Sequence, residues 1–163
     1  MGVGGSMHTA LGWRGQFERT ARWFARVEKI SIERHQTGDL HRHQDFIYAF
    51  FQNCYHLREW LVESGVVPQC EMERLFQDHV ELQICRDVCN GTKHMQVKRP
   101  SIDGDYSIFR EYDHFHVDRP DDGPHSMEYL FVLAGSHKYD LFELARKCMA
   151  IWEQFLRGKR LLS

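Results

Sequence analysis

The segment from about Leu40 to Ser64 constrains this chain more than any other. Phe46, Ile47, Phe50, Cys54, Leu57 and Leu61 recur at three- and four-residue steps, and Tyr48, Phe51, Tyr55 and Trp60 widen the stripe they make. A helix on the surface of a domain needs one apolar face, whereas one apolar over most of its circumference needs neighbours on several sides. The rest of the chain must therefore supply helices to surround this one. Gly65 is placed to end it in a left-handed conformation, and Pro68 prevents it from resuming.

Those neighbours are legible. From about Arg14 to Arg34, Phe17, Ala21, Phe24, Val27 and Ile30 form a single apolar stripe between Arg19, Arg26, Glu28 and Lys29. A short helix from about Gln69 to Phe76 follows the central one. Asp78 with Glu81 reads as a capping box opening a fourth helix, which carries Val80, Ile84 and Val88 on one face. Asn90-Gly91 is a stop signal there, although the helix can run on to His94. A last helix spans about Tyr139 to Leu156, with Leu141, Leu144, Ala145, Cys148, Ile151, Trp152 and Phe155 as its buried stripe.

Between these helices the period changes from helical to strand-like over about 95–133. Met95 to Arg99 is short and closed by Pro100. Tyr106 to Val117 alternates after the Asp103-Gly104-Asp105 turn, and Met127 to Leu133 is a third strand. Connections this short leave no room for crossover helices, so the strands form an antiparallel meander. The expected fold is mainly α: a four- to five-helix bundle with a small antiparallel β-meander inserted before the C-terminal helix. At roughly 150 residues per domain, the 163 residues make one domain, over 11–163. Residues 1–10, with Gly2, Gly4, Gly5 and Ser6, read as a flexible leader or a cloning scar.

Composition narrows the function. Lysine and arginine number 21 against 23 acidic residues, a net charge of −2, which excludes nucleic-acid binding by bulk charge but not by a local basic cleft. No stretch approaches the roughly 18 apolar residues of a membrane span. The five cysteines form no regular framework, and the start resembles no signal peptide, so a reducing cytoplasm is expected, with the cysteines as small buried hydrophobes. Eleven histidines invite a metal: His114 and His116 share a strand face, and His41 and His43 stand near Asp45. Cys85 and Cys89 are four apart on a helix. None of these has the pair-plus-pair spacing of a zinc site, so the sequence implies neither metal nor cofactor.

The chemistry concentrates in Cys85-Arg86-Asp87-Val88-Cys89-Asn90-Gly91-Thr92-Lys93-His94. On a continuous helix Arg86, Asn90 and His94 stand at four-residue steps, and Asp87 is three residues from Asn90. An imidazole moves protons near neutrality, and a guanidinium clamps a phosphate through two parallel hydrogen bonds. These are the parts needed to cleave RNA without a metal. A plainer reading makes Arg86 and Asp87 a solvated face, with Lys93 and His94 following a C-cap where cations are favoured. Asn53 and His56, three apart on the central helix, are placed to support the patch.

Taken together with Tyr55-His56-Leu57-Arg58-Glu59-Trp60, this segment resembles a group of bacterial and phage-type proteins. In them a helix with a Tyr-His-Leu-x-x-Trp pattern precedes an Asp-x-x-Asn-Gly-x-Lys-His ending. The likeness covers roughly Asp45 to His94, and that group in turn resembles the HEPN superfamily. The resemblance implies a small helical bundle that forms a homodimer. It also implies a metal-independent ribonuclease or RNA-binding protein of a defence or toxin-type system. Arg86 takes the family's arginine role, Asp87 the adjacent polar role and His94 the histidine role, with Asn90 beside them and Lys93 as a second cation. The family pattern leaves four to six residues between arginine and histidine; here there are seven, Asn90-Gly91 among them. The rival expectation is a non-catalytic domain that binds a protein partner through the meander, with Tyr106, Phe109, Tyr112, Phe115 and the Asp118–His125 loop as its contact surface.

Overall fold

The computed structural model describes residues 11–33, 40–93, 106–115 and 125–163, and side chains over 11–31, 43–92 and 130–163. Helix α2 (Leu40–Glu63) is its axis, as the breadth of the apolar surface requires. Ile47, Phe50, Phe51, Cys54, Leu57 and Leu61 are all fully buried. On one side α2 packs along α1 (Gly12–Glu33), with the Phe24 and Phe50 ring centroids 5.7 Å apart and those of Trp23 and Phe46 5.8 Å apart. On its other sides it meets α3 (Gln69–Asp78), α4 (Val80–Lys93) and α5 (Leu141–Gly158), and α5 also touches α1 and α4. Each fully buried aromatic or large aliphatic side chain in this core contributes about 1.5–3 kcal/mol.

The chain breaks between helices have local causes. Gly65 adopts φ +69°, its amide donates to the Val62 carbonyl, and the Val67 amide reaches back to Leu61, which closes α2. Pro68 caps α3, its carbonyl accepting from the Glu71 and Met72 amides. The next boundary differs from the expected capping box. Asp78 is the last residue of α3, extended by the burial of Met72, Leu75 and Phe76, and His79 makes the turn. The His79 carbonyl accepts from Leu82 and Gln83, so His79 rather than Asp78 stands at the start of α4.

Helix α4 also runs through Asn90-Gly91 to Lys93. Tertiary contacts override the stop signal there: Cys89 is buried, and Thr92 Oγ1 donates to the Cys89 carbonyl while accepting from Gln52 Nε2 of α2 at 2.8 Å.

The strands precede α5, as expected, but their membership differs. Strand β1 (Tyr106–Phe115) pairs antiparallel with β2 (His125–Ala134), which pairs antiparallel with β3 (His137–Asp140), in the order β1-β2-β3. The third strand therefore follows the other two, and the Met95–Arg99 segment lies outside the described residues. Gly135-Ser136 forms a two-residue hairpin turn between β2 and β3, and Tyr139, expected to open the last helix, lies in β3. Gly135 takes φ +61° there, a conformation that favours glycine. Along β2, Leu130, Val132 and Ala134 are buried and Phe131 and Leu133 half-buried, so one strand face lies on the core beside α5. Asp140 ends β3 and caps α5, its carboxylate accepting from the Phe142 and Glu143 amides at 2.9 and 3.0 Å. Among the described residues no helix is long and apolar enough to cross a membrane.

Candidate functional site

The helical phase of α4 divides its polar residues. Arg86 falls on the outer side with Gln83 and Asn90 near it, and its side chain is 39% exposed; Asp87, one position on, turns inward and is 1% exposed. The two remain coupled, with Arg86 Nε 3.9 Å from Asp87 Oδ1. A buried carboxylate beside the base of a guanidinium restrains where the charged end can go, at little cost to its reach into solvent.

Arg86 opens onto a cleft of about 300 Å³ between α2, α3 and α4, shared with Tyr55, Arg58, Glu73, Gln77 and Gln83. Phe76 forms part of its wall, edge-on to Tyr55 at 5.9 Å, and the Arg58 guanidinium lies 5.7 Å from the Phe76 centroid. Gln83 Nε2 donates to the Phe76 and Gln77 carbonyls, which fixes the end of α3 against α4. The cleft thus offers two guanidiniums against one carboxylate, with a tyrosine ring between helices. Such a surface can grip a phosphodiester and place a flat group against the ring.

Of the remaining expected site residues, those described are dispersed. Asn90 is half-buried on α4. Lys93 ends α4, with its side chain outside the described residues, and His94 lies outside them altogether. His56 is exposed on α2, its ring centroid 6.3 Å from that of Tyr55. Asn53 faces α1 rather than α4: its Oδ1 and its carbonyl accept from Gln16 Nε2, and its Nδ2 donates to the Ala49 carbonyl. Buried Thr20 donates to the Gln16 and Asn53 carbonyls in the same seam. The contact from α2 to the end of α4 is made by Gln52 instead. The rival contact surface on β1 and the following loop, and the histidines His41, His114 and His116, likewise fall where side chains are not described.

Two features were not singled out from sequence. Tyr55 and Arg58 stand three apart on α2, the spacing that puts side chains on one helical face, and they lie inside the Tyr-His-Leu-x-x-Trp segment. The second feature is a thiol cluster. Cys54 of α2, Cys85 of α4 and Cys148 of α5 are fully buried, and their sulfurs all lie within 4.8 Å of one another. Cys85 therefore groups with cysteines of two other helices rather than with Cys89. Compared with known proteins, the chain matches no family model, no curated protein and no solved structure.

Proposed function

We propose that this protein is an RNA-binding domain of the HEPN-like kind, acting as a metal-independent endoribonuclease. The observation that carries the reading is the shared cleft of Arg58, Arg86 and Tyr55. Single-stranded nucleic acid is held by cations that follow the backbone and by aromatic rings on which bases stack. Arg86 and Arg58 supply the first, and Tyr55 supplies the second. The 2′-hydroxyl of a ribose attacks the adjacent phosphorus, and the bond to the next nucleotide's 5′-oxygen breaks. The products are a 2′,3′-cyclic phosphate and a free 5′-hydroxyl. Arg86 stabilises the charge gathering on the non-bridging oxygens, with Lys93 as a further cation, and His94 takes the 2′ proton or delivers one to the leaving oxygen.

The test is cleavage of a labelled RNA by the purified chain in excess chelator, with binding measured in parallel. Cleavage that yields cyclic phosphate ends, abolished in His94→Ala with RNA still bound, is the expected result. Weakened binding in Arg86→Ala and Arg58→Ala places the RNA in the cleft. RNA binding unaffected by both arginine substitutions overturns the assignment of the cleft. Cleavage undiminished in His94→Ala overturns the catalytic assignment.

A further inference from the structure

We propose that Cys54, Cys85 and Cys148 form a closed thiolate site for a thiophilic closed-shell cation, zinc(II) or copper(I), which joins α2, α4 and α5. Each helix contributes one sulfur, and the three meet at one level of the core within 4.8 Å of each other. Thiolate ligands select these two ions over harder cations. A tetrahedral site with metal–sulfur bonds of about 2.3 Å holds its sulfurs about 3.8 Å apart, and a trigonal site about 4.0 Å, so contraction by less than about 1 Å accommodates the ion. Free buried cysteines commonly serve as packing groups. Two features separate this cluster from simple packing.

The first is where the protons go. Cys85 Sγ points to the Phe51 carbonyl at 3.6 Å and Cys148 Sγ to the Glu81 carbonyl at 3.4 Å, so two of the thiols have oxygen acceptors on neighbouring backbone. The second is Trp152, fully buried, whose indole Nε1 has no hydrogen-bond partner among the described residues. An unsatisfied buried donor costs about 1–3 kcal/mol. Trp152 neighbours Cys54, so thiolate charge in a loaded cluster would be set against that N–H.

Binding replaces thiol protons, up to three per ion, which leave to solvent; no oxidation occurs. Zinc(II) over three thiolates leaves one negative charge for the Trp152 N–H to face. Copper(I) leaves two but needs no fourth ligand. None of the three sulfurs lines the Arg86 cleft, so this inference stands independently of the RNA reading.

The metal-free full chain, kept reduced, is titrated with zinc(II) against a chromogenic chelator. Copper(I), maintained by ascorbate, is titrated against bicinchoninate. One equivalent of either ion should bind to the wild-type chain, and equally to Cys70→Ser and Cys89→Ser. Cys54→Ser, Cys85→Ser and Cys148→Ser should each lose at least the roughly 10- to 100-fold in affinity that removing even an outer-shell partner costs. Because serine in this core can prevent folding, X-ray absorption of the loaded wild-type chain gives an independent readout: three sulfur neighbours per ion are expected. Failure of both ions to bind stoichiometrically, fewer than three sulfur neighbours, or undiminished affinity in the three variants overturns the site.

Discussion

Arg86 and Asp87 are adjacent in the chain and opposite in environment, one side chain 39% exposed in the cleft and the other 1% exposed beneath it, with Nε and Oδ1 3.9 Å apart. The pair therefore divides stability from recognition. Asp87→Ala removes a buried acceptor and should destabilise the fold by about 1–3 kcal/mol. Arg86→Ala takes one cation away from buried Asp87 but removes no buried group, so it should cost less than Asp87→Ala. Urea unfolding midpoints at fixed slope check both. Equal losses for the two variants would show that Arg86 is part of the structural core rather than of a binding surface.

Phosphate contacts leave a signature in salt. Each phosphate neutralised on a single strand contributes about 0.7 to the slope of log affinity against log salt. Arg58→Ala and Arg86→Ala should each lower that slope by about this amount, and the double variant by about twice as much. Fluorescence anisotropy of a short labelled RNA across a salt series measures it. A slope that stays constant while affinity falls would mean that the arginines act through shape rather than through charge on the backbone.

Asn53 separates two roles in the same way. Its side-chain Oδ1 accepts from Gln16 and its backbone carbonyl from Gln16 and Thr20, in the seam between α1 and α2. Asn53→Ala leaves Gln16 with one bond fewer and removes the bond to Ala49, so it should cost about 1–2 kcal/mol of stability. RNA affinity of the folded variant should equal that of the parent. A selective loss of binding, with the unfolding midpoint unchanged, would move Asn53 to the functional surface.

Local periodicity made the helices and their buried faces legible. The stripe of Phe46, Ile47, Phe50, Cys54, Leu57 and Leu61 named the central helix; all but the half-buried Phe46 are fully buried. Boundaries set by tertiary contact were not legible. Asn90-Gly91 is a credible stop, yet the bond from Gln52 to Thr92 carries α4 beyond it. The Gly135-Ser136 pair signals a turn, but whether it leads to a helix or a strand depends on β2 offering an edge to His137–Asp140. In the site, Arg86 was legible because its neighbours in sequence share its helix. Arg58 and Tyr55 were not, because the cleft depends on how α2, α3 and α4 are stacked. The thiol cluster was hidden for the same reason: periodicity puts Cys54 and Cys148 inside, but does not say that they reach one level.

The five thiols differ enough in access to report on the core directly. Cys70 is exposed, whereas Cys54, Cys85, Cys89 and Cys148 are buried. A thiol reagent acting on the native, reduced chain should consume one equivalent promptly, and Cys70→Ser should abolish that phase. The other four should react only as the structure opens, at a rate that rises with denaturant. Zinc(II) then distinguishes within the slow group. In mild denaturant it should retard Cys54, Cys85 and Cys148 together, while Cys89, 5% exposed and outside the cluster, keeps the rate set by opening alone. Site-resolved mass spectrometry of the labelled cysteines reads all five at once. Uniform retardation of all four buried thiols would indicate general stabilisation by the ion rather than coordination by these three sulfurs.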